Sequence, residues 1–420
     1  MTSLPDRPEF HFTAANGWIN DPYGLAYRNG VYHLFFQYVP DSLTWAPNVH
    51  WGHAISVDLV SWIEQAHAIA PGEGDDGIWS GSIAVDDNGS ASLFYTSIKL
   101  PDANRGRVRL ATPLDEDWRE WSKGDIPVQV PDELDVVAFR DPFVFRDANR
   151  WRMLVGTGLT GGTAAASSFS SKDLRTWRFD GIAAHRSGAE RQPVWTGTLW
   201  ECPQIFAIDG RHVLVTSVWE NDVLHYVAYG VGSYQDGTFR ADSWGQLTYG
   251  TSYYAPSFYR DRDGRPGLIY WMRGLLDTTA GRAGALSIPH LLHLEGNQLS
   301  STPHPDLWRY ATPCDGARPL SSTNAYLITW DPASSNEQLT LTKDQKTVVR
   351  LKREPNRTLV ISEHEEVALP VTTGPVTIVV DGPCIEICTS AGNVGLGQVV
   401  QPWQQLRIAG GAFECSVLSR

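Results

Sequence analysis

Three carboxylic acids stand in similar company: Asn20-Asp21-Pro22, Arg140-Asp141-Pro142 and Glu201-Cys202-Pro203. Singly, an acid beside proline is a common turn residue. Together, three acids admit two chemistries. Two carboxyl groups flanking a glycosidic bond suffice for its hydrolysis: one gives a proton to the leaving oxygen, and the other attacks the sugar or activates water. A third, carrying Arg140 beside it, would bind sugar hydroxyls and counter the charge of an oxocarbenium-like transition state. The alternative is a hard cation, but such an ion usually draws further oxygen ligands from a local loop. No such acidic loop occurs in the sequence.

For either chemistry the three acids must meet, and a hidden period indicates how. Short turns precede apolar runs five times: Asn29-Gly30 before residues 31–36, Asn88-Gly89 before 92–96, Asn149 before 151–155, Asp209-Gly210 before 212–216, and Asp263-Gly264 before 267–271. Asn-Gly and Asp-Gly in this setting signal hairpins, because these residues take positive φ at low cost. The turns begin at 29, 88, 149, 209 and 263, so successive starts lie 59, 61, 60 and 54 residues apart. A period of that length, built from several strands, is a propeller blade. Five blades are therefore expected. A second echo supports the period: residues 56–62 (Ser-Val-Asp-Leu-Val-Ser-Trp) return as residues 171–177 (Ser-Lys-Asp-Leu-Arg-Thr-Trp), 115 positions later. Trp62 and Trp177, which close this motif, are expected to pack between strands.

Eight residues before each turn lie Asp21, Ser80, Asp141, Glu201 and Ala255. A fixed phase in a repeat is a fixed place in each blade. If the strand before the turn is innermost, these positions ring one end of the central channel. Packing does not account for three acids there, since Asp and Glu are rarely buried unless paired or functional.

The bulk composition narrows the partners. The 420 residues suffice for two domains. A net charge of -13 argues against nucleic acid and anionic membranes, and no apolar run has the length of a membrane span. Residues 1–12 are polar, with Pro5 and Pro8 and no apolar signal core, so a cytoplasmic location is expected. The 17 Trp and 15 Tyr suit stacking on sugar rings, although most are expected in the β core. Cys202, Cys314, Cys384, Cys388 and Cys415 show no metal-ligand spacing and read as reduced buried thiols. His50, His53 and His67 read as hydrogen-bonded structural histidines and not as a metal cluster. No cofactor is implied.

The motifs resemble glycoside hydrolase family 32, the invertases, inulinases and levanases. Residues 18–24 (Trp-Ile-Asn-Asp-Pro-Tyr-Gly) are similar to that family's W-x-N-D-P-N-G signature. Residues 35–38 (Phe-Phe-Gln-Tyr), Trp45, 51–53 (Trp-Gly-His), 79–82 (Trp-Ser-Gly-Ser), 139–142 (Phe-Arg-Asp-Pro) and 200–203 (Trp-Glu-Cys-Pro) follow in family order. Tyr229-Gly230 with Tyr234 and Phe239 also look family-like, and the match covers about residues 8 to 300. The resemblance implies an all-β fold, a five-bladed propeller followed by a short β-sandwich. It further implies Asp21 as nucleophile, Glu201 as general acid/base and Asp141 as transition-state stabiliser. On the same basis Asn20, Gln37, Trp45, Trp79, Ser80 and Arg140 line a fructosyl pocket, with Trp271 as a wall. Arg140 could equally neutralise Asp141 as an ion pair. An apolar setting between Trp200 and Pro203 would keep Glu201 protonated, while donors such as Asn20 would keep Asp21 ionised.

Three departures from the family pattern stand out. Tyr23 replaces an Asn and is expected to enlarge a lip of the pocket; Thr248 stands where an Asp is frequent; His290-Leu291 replaces Arg-Glu. These changes put leaving-group choice in question. The expected organisation is a propeller over residues 1–296, a linker over 297–320 rich in proline, and a sandwich over 321–420. Asp381 to Cys388, with Glu386, resembles the family's sandwich motif Asp-x-Ser-x-x-Glu, with Pro383 at the Ser. That module is expected to pack on the propeller or to form a homo-oligomer, and no chemistry is assigned to it. The expected function is retaining hydrolysis of terminal β-D-fructofuranosyl bonds in sucrose or short fructo-oligosaccharides. Fructosyl transfer or exo-acting fructan hydrolysis through the same intermediate is the alternative. A silent sugar-binding propeller is the third reading, which retention of the acid at Glu201 opposes. Recognition of sucrose-6-phosphate would need a cationic pocket, and beyond Arg140 no clustered Lys or Arg adjoins the motifs.

Overall fold

The computed structural model describes residues 7–315, 325–398 and 406–420. The described chain is all-β, and its one helix is the 3-10 turn Pro305–Tyr310. Each of the five turns heads a strand: Val31–Val39, Ala91–Ile98, Arg150–Leu159, Arg211–Glu220 and Pro266–Asp277. At the first turn Asn29 and Gly30 have φ of 51° and 84°, and at the fourth Asp209 and Gly210 have 48° and 77°. Two positive φ values in succession match the right-handed twist of the flanking strands.

A lead strand precedes each turn and pairs antiparallel with the strand after it. The lead strands are Gly17–Arg28, Gly77–Val85, Val136–Asp147, Leu199–Ile208 and Tyr253–Arg260. The second, third and fourth groups are separate four-stranded sheets in chain order. The first and fifth groups share one nine-stranded sheet, joined where Gly17 and Trp18 pair in parallel with Arg282 and Ala283. The lead strands touch one another in ring order, and the fifth meets the first.

Every lead strand breaks register at the same phase. The shifts fall between Ile19 and Pro22, Trp79 and Gly81, Glu201 and Gln204, and Tyr254 and Ser257, and in the third strand between Arg140 and Phe143. Asp141, Cys202 and Ala255 take φ of 66°, 47° and 42° there. Such bulges leave residues out of the ladder and re-aim their side chains. The phase legible in the sequence is thus a bulge repeated five times.

The second echo is a loop built twice. Ser56 Oγ accepts the Leu59 N–H at 2.9 Å and Asp58 Oδ1 that of Ser61 at 2.7 Å; Ser171 and Asp173 do the same for Leu174 and Thr176 at 2.9 and 2.8 Å. Trp177 packs edge-on to Phe94 at 5.6 Å, and Trp62 lies against the cluster around Phe12 and Leu59.

Beyond the ring, a seven-stranded and a five-stranded sheet enclose one apolar core that includes Trp330, Leu341, Leu351, Ile378 and Ile387. Residues 316–324 and 399–405 of the expected linker and C-terminal module lie outside the described residues. The hairpin His290–Glu295 with Gln298–Pro303 continues the nine-stranded sheet across residue 296, where the sequence places the end of the repeat.

The two parts are joined by buried charge. Asp381 accepts the backbone N–H groups of Glu9, Phe10 and His11 at 2.7–2.8 Å. His11 lies between Asp381 and Glu386, at 2.9 Å from each, and His290 reaches the other Glu386 oxygen at 2.6 Å. Thr248–Tyr249 adds a parallel strand to the seven-stranded sheet, and the Thr248 hydroxyl accepts the Val227 N–H at 3.0 Å. Thr248 and His290, two of the departures from the family pattern, therefore serve this joint. His290, Glu386 and Cys388 lie close enough to suggest metal ligands. However, Glu386 is already committed to His11, His290 and the Ile288 N–H.

Burial alone would push His11 down, but its bonds to Asp381 and Glu386 prevail and carry it up to about 9. Burial would raise Glu386, yet His290 and His11 hold it down to about 2. The His11 contribution is complete below its ordinary 6.5 and fades as pH rises through about 9. That of Glu386 is complete above 4.5 and fades as pH falls through about 2. His11→Ala removes the cation between two buried carboxylates and is expected to lower the unfolding free energy at pH 7 by about 3–5 kcal/mol in urea titration. The variant should also lose the decline between pH 6.5 and 9 that His11 gives the parent. Equal stability at pH 7 would contradict the joint described here.

Candidate active site

The bulges bring the three acids to one opening, with Cys202 between them. Cys202 donates its N–H to Asp141 Oδ2 at 3.0 Å, and its Sγ lies 3.7 Å from Asp141 Oδ2 and 3.9 Å from Asp21 Oδ2. Glu201 precedes it in the chain, and its charge bears on both aspartates.

Asp21 is held by a network of side chains. Asn20 Nδ2 donates to Asp21 Oδ1 at 2.9 Å and to Gln37 Oε1 at 2.8 Å, and Trp18 Nε1 donates to the Asn20 side-chain Oδ1 at 3.0 Å. Ser80 Oγ donates to Asp21 Oδ2 at 2.8 Å and accepts from Gln37 Nε2 at 3.0 Å. With the only Ser80 hydroxyl proton thus used, the Tyr23 hydroxyl, 2.6 Å away, is the donor to Ser80. Tyr23 is buried and stacked on Trp51 at 5.2 Å. It supports the floor of the site, which corrects the expectation of a changed lip.

Glu201 is gripped on both oxygens. Arg140 Nε and an Arg140 terminal nitrogen reach Glu201 Oε1 at 3.0 and 2.9 Å, and the Tyr254 hydroxyl donates to Oε2 at 2.6 Å. Arg140 also bonds Asn104 Oδ1 at 3.2 Å and faces Trp219 at 5.6 Å. The side chain of Arg140 thus pairs with Glu201 and not with Asp141. The apolar setting expected for Glu201 is replaced by a polar one, because Trp200 turns into the core beside Trp244 and leaves Glu201 to Arg140 and Tyr254. Arg273 stacks over the Tyr254 ring at 5.1 Å.

Burial raises the Asp21 carboxyl above its usual range, and the Glu201 charge adds to this, although the Asn20 and Ser80 donors oppose it. Burial and Glu201 likewise lift Asp141 against the pull of Arg140. Burial and the three acids raise the Cys202 thiol well above the ordinary value, so it stays neutral.

The aromatic residues divide by exposure. Trp45 is 46% exposed and meets Trp79 edge-on at 5.6 Å, while Trp79 is nearly covered and donates to the Pro47 carbonyl at 3.0 Å. Trp271 packs with Trp18, Cys202 and Tyr254, and its Nε1 has no partner among the described residues. Below the acids a cavity of about 240 Å³ runs among the lead strands, lined by Tyr23, Ser80, Asp141, Cys202 and Phe258. His53 and His33 share a 3.1 Å bond, and burial holds them neutral at about 3 and 4. The His50 ring meets His67 edge-on at 5.3 Å, and its Nδ1 has no partner among the described residues. Sequence reasoning missed Cys202 and Tyr254 as members of the site. The signal was adjacency, since each neighbours a ring position.

An all-β chain that gathers three acids, one guanidinium and a tryptophan wall at one opening has the make-up of a glycoside hydrolase. The description "Glycosyl hydrolases family 32 N-terminal domain" matches residues 11–303. The chain is 32% identical over 342 residues to sucrose-6-phosphate hydrolase of Escherichia coli, across 76% of this chain and 69% of that one. It is 34% identical over 320 residues to the enzyme of that name from Zymomonas mobilis, across 70% and 61%. It is 33% identical over 336 residues to the cell wall β-fructofuranosidase of Zea mays, across 71% and 55%. Among solved structures, the Bombyx mori family 32 β-fructofuranosidase shares the fold with a TM-score of 0.84 at 22% identity, covering 99% of this chain and 94% of that one. The chain belongs to glycoside hydrolase family 32.

Because Asp21 is lifted by burial and held back by donors, removing a donor lifts it further. Ser80→Ala should move the acidic limb of the kcat/KM profile to higher pH and lower the rate at neutral pH by about tenfold. An unmoved acidic limb in that variant would show that the Ser80 bond does not tune Asp21.

Proposed function

We propose that the chain is a retaining β-fructofuranosidase acting on sucrose and short fructo-oligosaccharides. The observation that carries this reading is the meeting of Asp21, Asp141 and Glu201 around Cys202, with Glu201 gripped by Arg140 and Tyr254. In this reading the scaffold is a five-bladed propeller, the nine-stranded sheet being two blades fused at the chain closure. The two C-terminal sheets form a β-sandwich docked on it, so that the catalytic unit runs to Pro303.

Asp21 attacks the anomeric carbon of the fructosyl unit, and Glu201 gives its proton to the departing oxygen. Glu201 then takes a proton from water, which attacks the same carbon and frees Asp21. Two inversions give retention. Asp141 holds fructosyl hydroxyls and stabilises the transient positive charge. Tyr254 has two acceptors, Glu201 Oε2 at 2.6 Å and the Val218 carbonyl at 3.3 Å. It donates to Glu201 when that group is ionised and turns to Val218 when Glu201 carries the proton. Trp79, Trp271, Asn20 and Gln37 frame the fructosyl unit, and the exposed Trp45 stacks on the leaving sugar. Arg140 is engaged by Glu201 and Asn104, which supports an uncharged leaving group over a phosphorylated one.

A second reading, exo-acting hydrolysis of longer fructans, draws on the same exposed Trp45 and on the fructan 6-exohydrolase of Beta vulgaris, 28% identical over 340 residues. Product release from sucrose, sucrose-6-phosphate, 1-kestose, inulin and levan separates the two. Glu201→Ala should lose about 10²–10⁴-fold in kcat, and azide should restore turnover by giving a fructosyl azide of retained configuration. Asp21→Ala should lose at least as much, with no azide product of that configuration. Near-normal turnover of sucrose by the Asp21 variant would falsify the mechanism.

A further inference from the structure

Cys314 and Cys415 face each other at the edge of the seven-stranded sheet. Ala311–Pro313 pairs antiparallel with Phe413–Leu418, with Pro313 opposite Ser416. The next rung is closed by the Cys314 N–H, which donates to the Cys415 carbonyl at 2.9 Å. Opposed residues on antiparallel strands have Cα atoms about 4.5–5.5 Å apart, inside the span of about 4.4–6.8 Å that a disulfide bridges. The side chains point to the same side, and the two sulfurs lie 3.0 Å apart. Both thiols are free. Cys314 is half-buried and Cys415 is buried, so a reagent reaches Cys314 first.

The positions have topological consequence. Ala311–Pro313 brings the chain into the C-terminal pair of sheets immediately before Cys314, and the chain leaves by the strand carrying Cys415, 101 residues later. A bond between them encloses the whole five-stranded sheet and the strands of the seven-stranded sheet that carry Asp381 and Glu386, which hold the N-terminal segment.

We propose that Cys314 and Cys415 form a dithiol that a low-molecular-weight disulfide converts to an intramolecular disulfide, stapling the entry of the C-terminal sheets to their exit. The Cys314 thiolate attacks one sulfur of the reagent and expels one small thiolate, giving a mixed disulfide. The Cys415 thiolate then attacks the Cys314 sulfur and expels the second. The protein dithiol loses two electrons and two protons, the reagent gains both as two thiols, and no other oxidant is needed. Closing so long a loop constrains the unfolded chain more than the folded one, so the cross-linked form is the more heat-resistant. Notably, this would replace the reduced state expected for these two thiols from the sequence alone.

The test uses the full chain, reduced with a phosphine, freed of it, and incubated with glutathione disulfide. After an acid quench, thiols are blocked under denaturing conditions and peptides are read by mass spectrometry without reduction. The expected product joins the Cys314 and Cys415 peptides with the loss of two hydrogens, leaves Cys202, Cys384 and Cys388 alkylated, and raises the melting temperature by a few degrees. Dithiothreitol should reverse both changes. Cys415→Ser should stop at a glutathione adduct on Cys314 with no gain in melting temperature, and Cys314→Ser should give neither product. The proposal is overturned if wild-type protein keeps both thiols or accumulates the Cys314 adduct without closing. A cross-link to another cysteine, or a Cys314–Cys415 bond that leaves the melting temperature unchanged, overturns it equally.

Discussion

Several carboxylates held in one buried opening repel one another and lose hydration, and neither cost is met unless each has donors of its own. The arrangement around Asp21, Asp141 and Glu201 answers that constraint. Asp21 takes hydrogen bonds from Asn20 and Ser80, Asp141 takes the Cys202 N–H, and Glu201 takes Arg140 and Tyr254. Cys202 sits among the acids as a neutral thiol, filling the space without adding charge. The balance is incomplete: Asp21 and Asp141 remain lifted by burial and by the Glu201 charge, and carboxyls shifted in this way gather at functional sites.

The same constraint recurs at the joint between the two parts and is met differently. There Asp381 and Glu386 are held below their usual range, because His290 and His11 offset burial at Glu386, His11 does so at Asp381, and backbone N–H groups complete their shells. The contrast is one of compensation. A carboxylate with a cationic partner and backbone donors is held down, whereas one that faces other acids with fewer donors stays lifted. Both sites depend on backbone bulges or chain ends to aim donors inward, which regular ladders cannot do because their N–H groups are already paired.

Much of the ring was legible along the chain. Asn29-Gly30 and Asp209-Gly210 could be placed as hairpin turns because positive φ selects those residues whatever surrounds them. The common distance from each turn to Asp21, Ser80, Asp141, Glu201 and Ala255 was legible too, since a repeated strand length is a property of the sequence. What that distance meant was not. The bulge that turns Asp141 and Glu201 toward the opening has no local residue signature here beyond a following proline, and Ser80 lacks even that.

The neighbours of each acid were the least legible part. Tyr23 was read as a pocket lip and is a buried donor beneath Ser80; Glu201 was given an apolar setting and lies against Arg140 and Tyr254; Thr248 and His290 were weighed for specificity and belong to the joint. Sequence by itself determined the strand period, the turn chemistry and the identity of the acids, because these follow from backbone preferences and residue type. Only the tertiary structure decided which donors meet which carboxylate, because partners such as Tyr254 for Glu201 and His11 for Glu386 stand 53 and 375 residues apart. Long-range closure alone selects them.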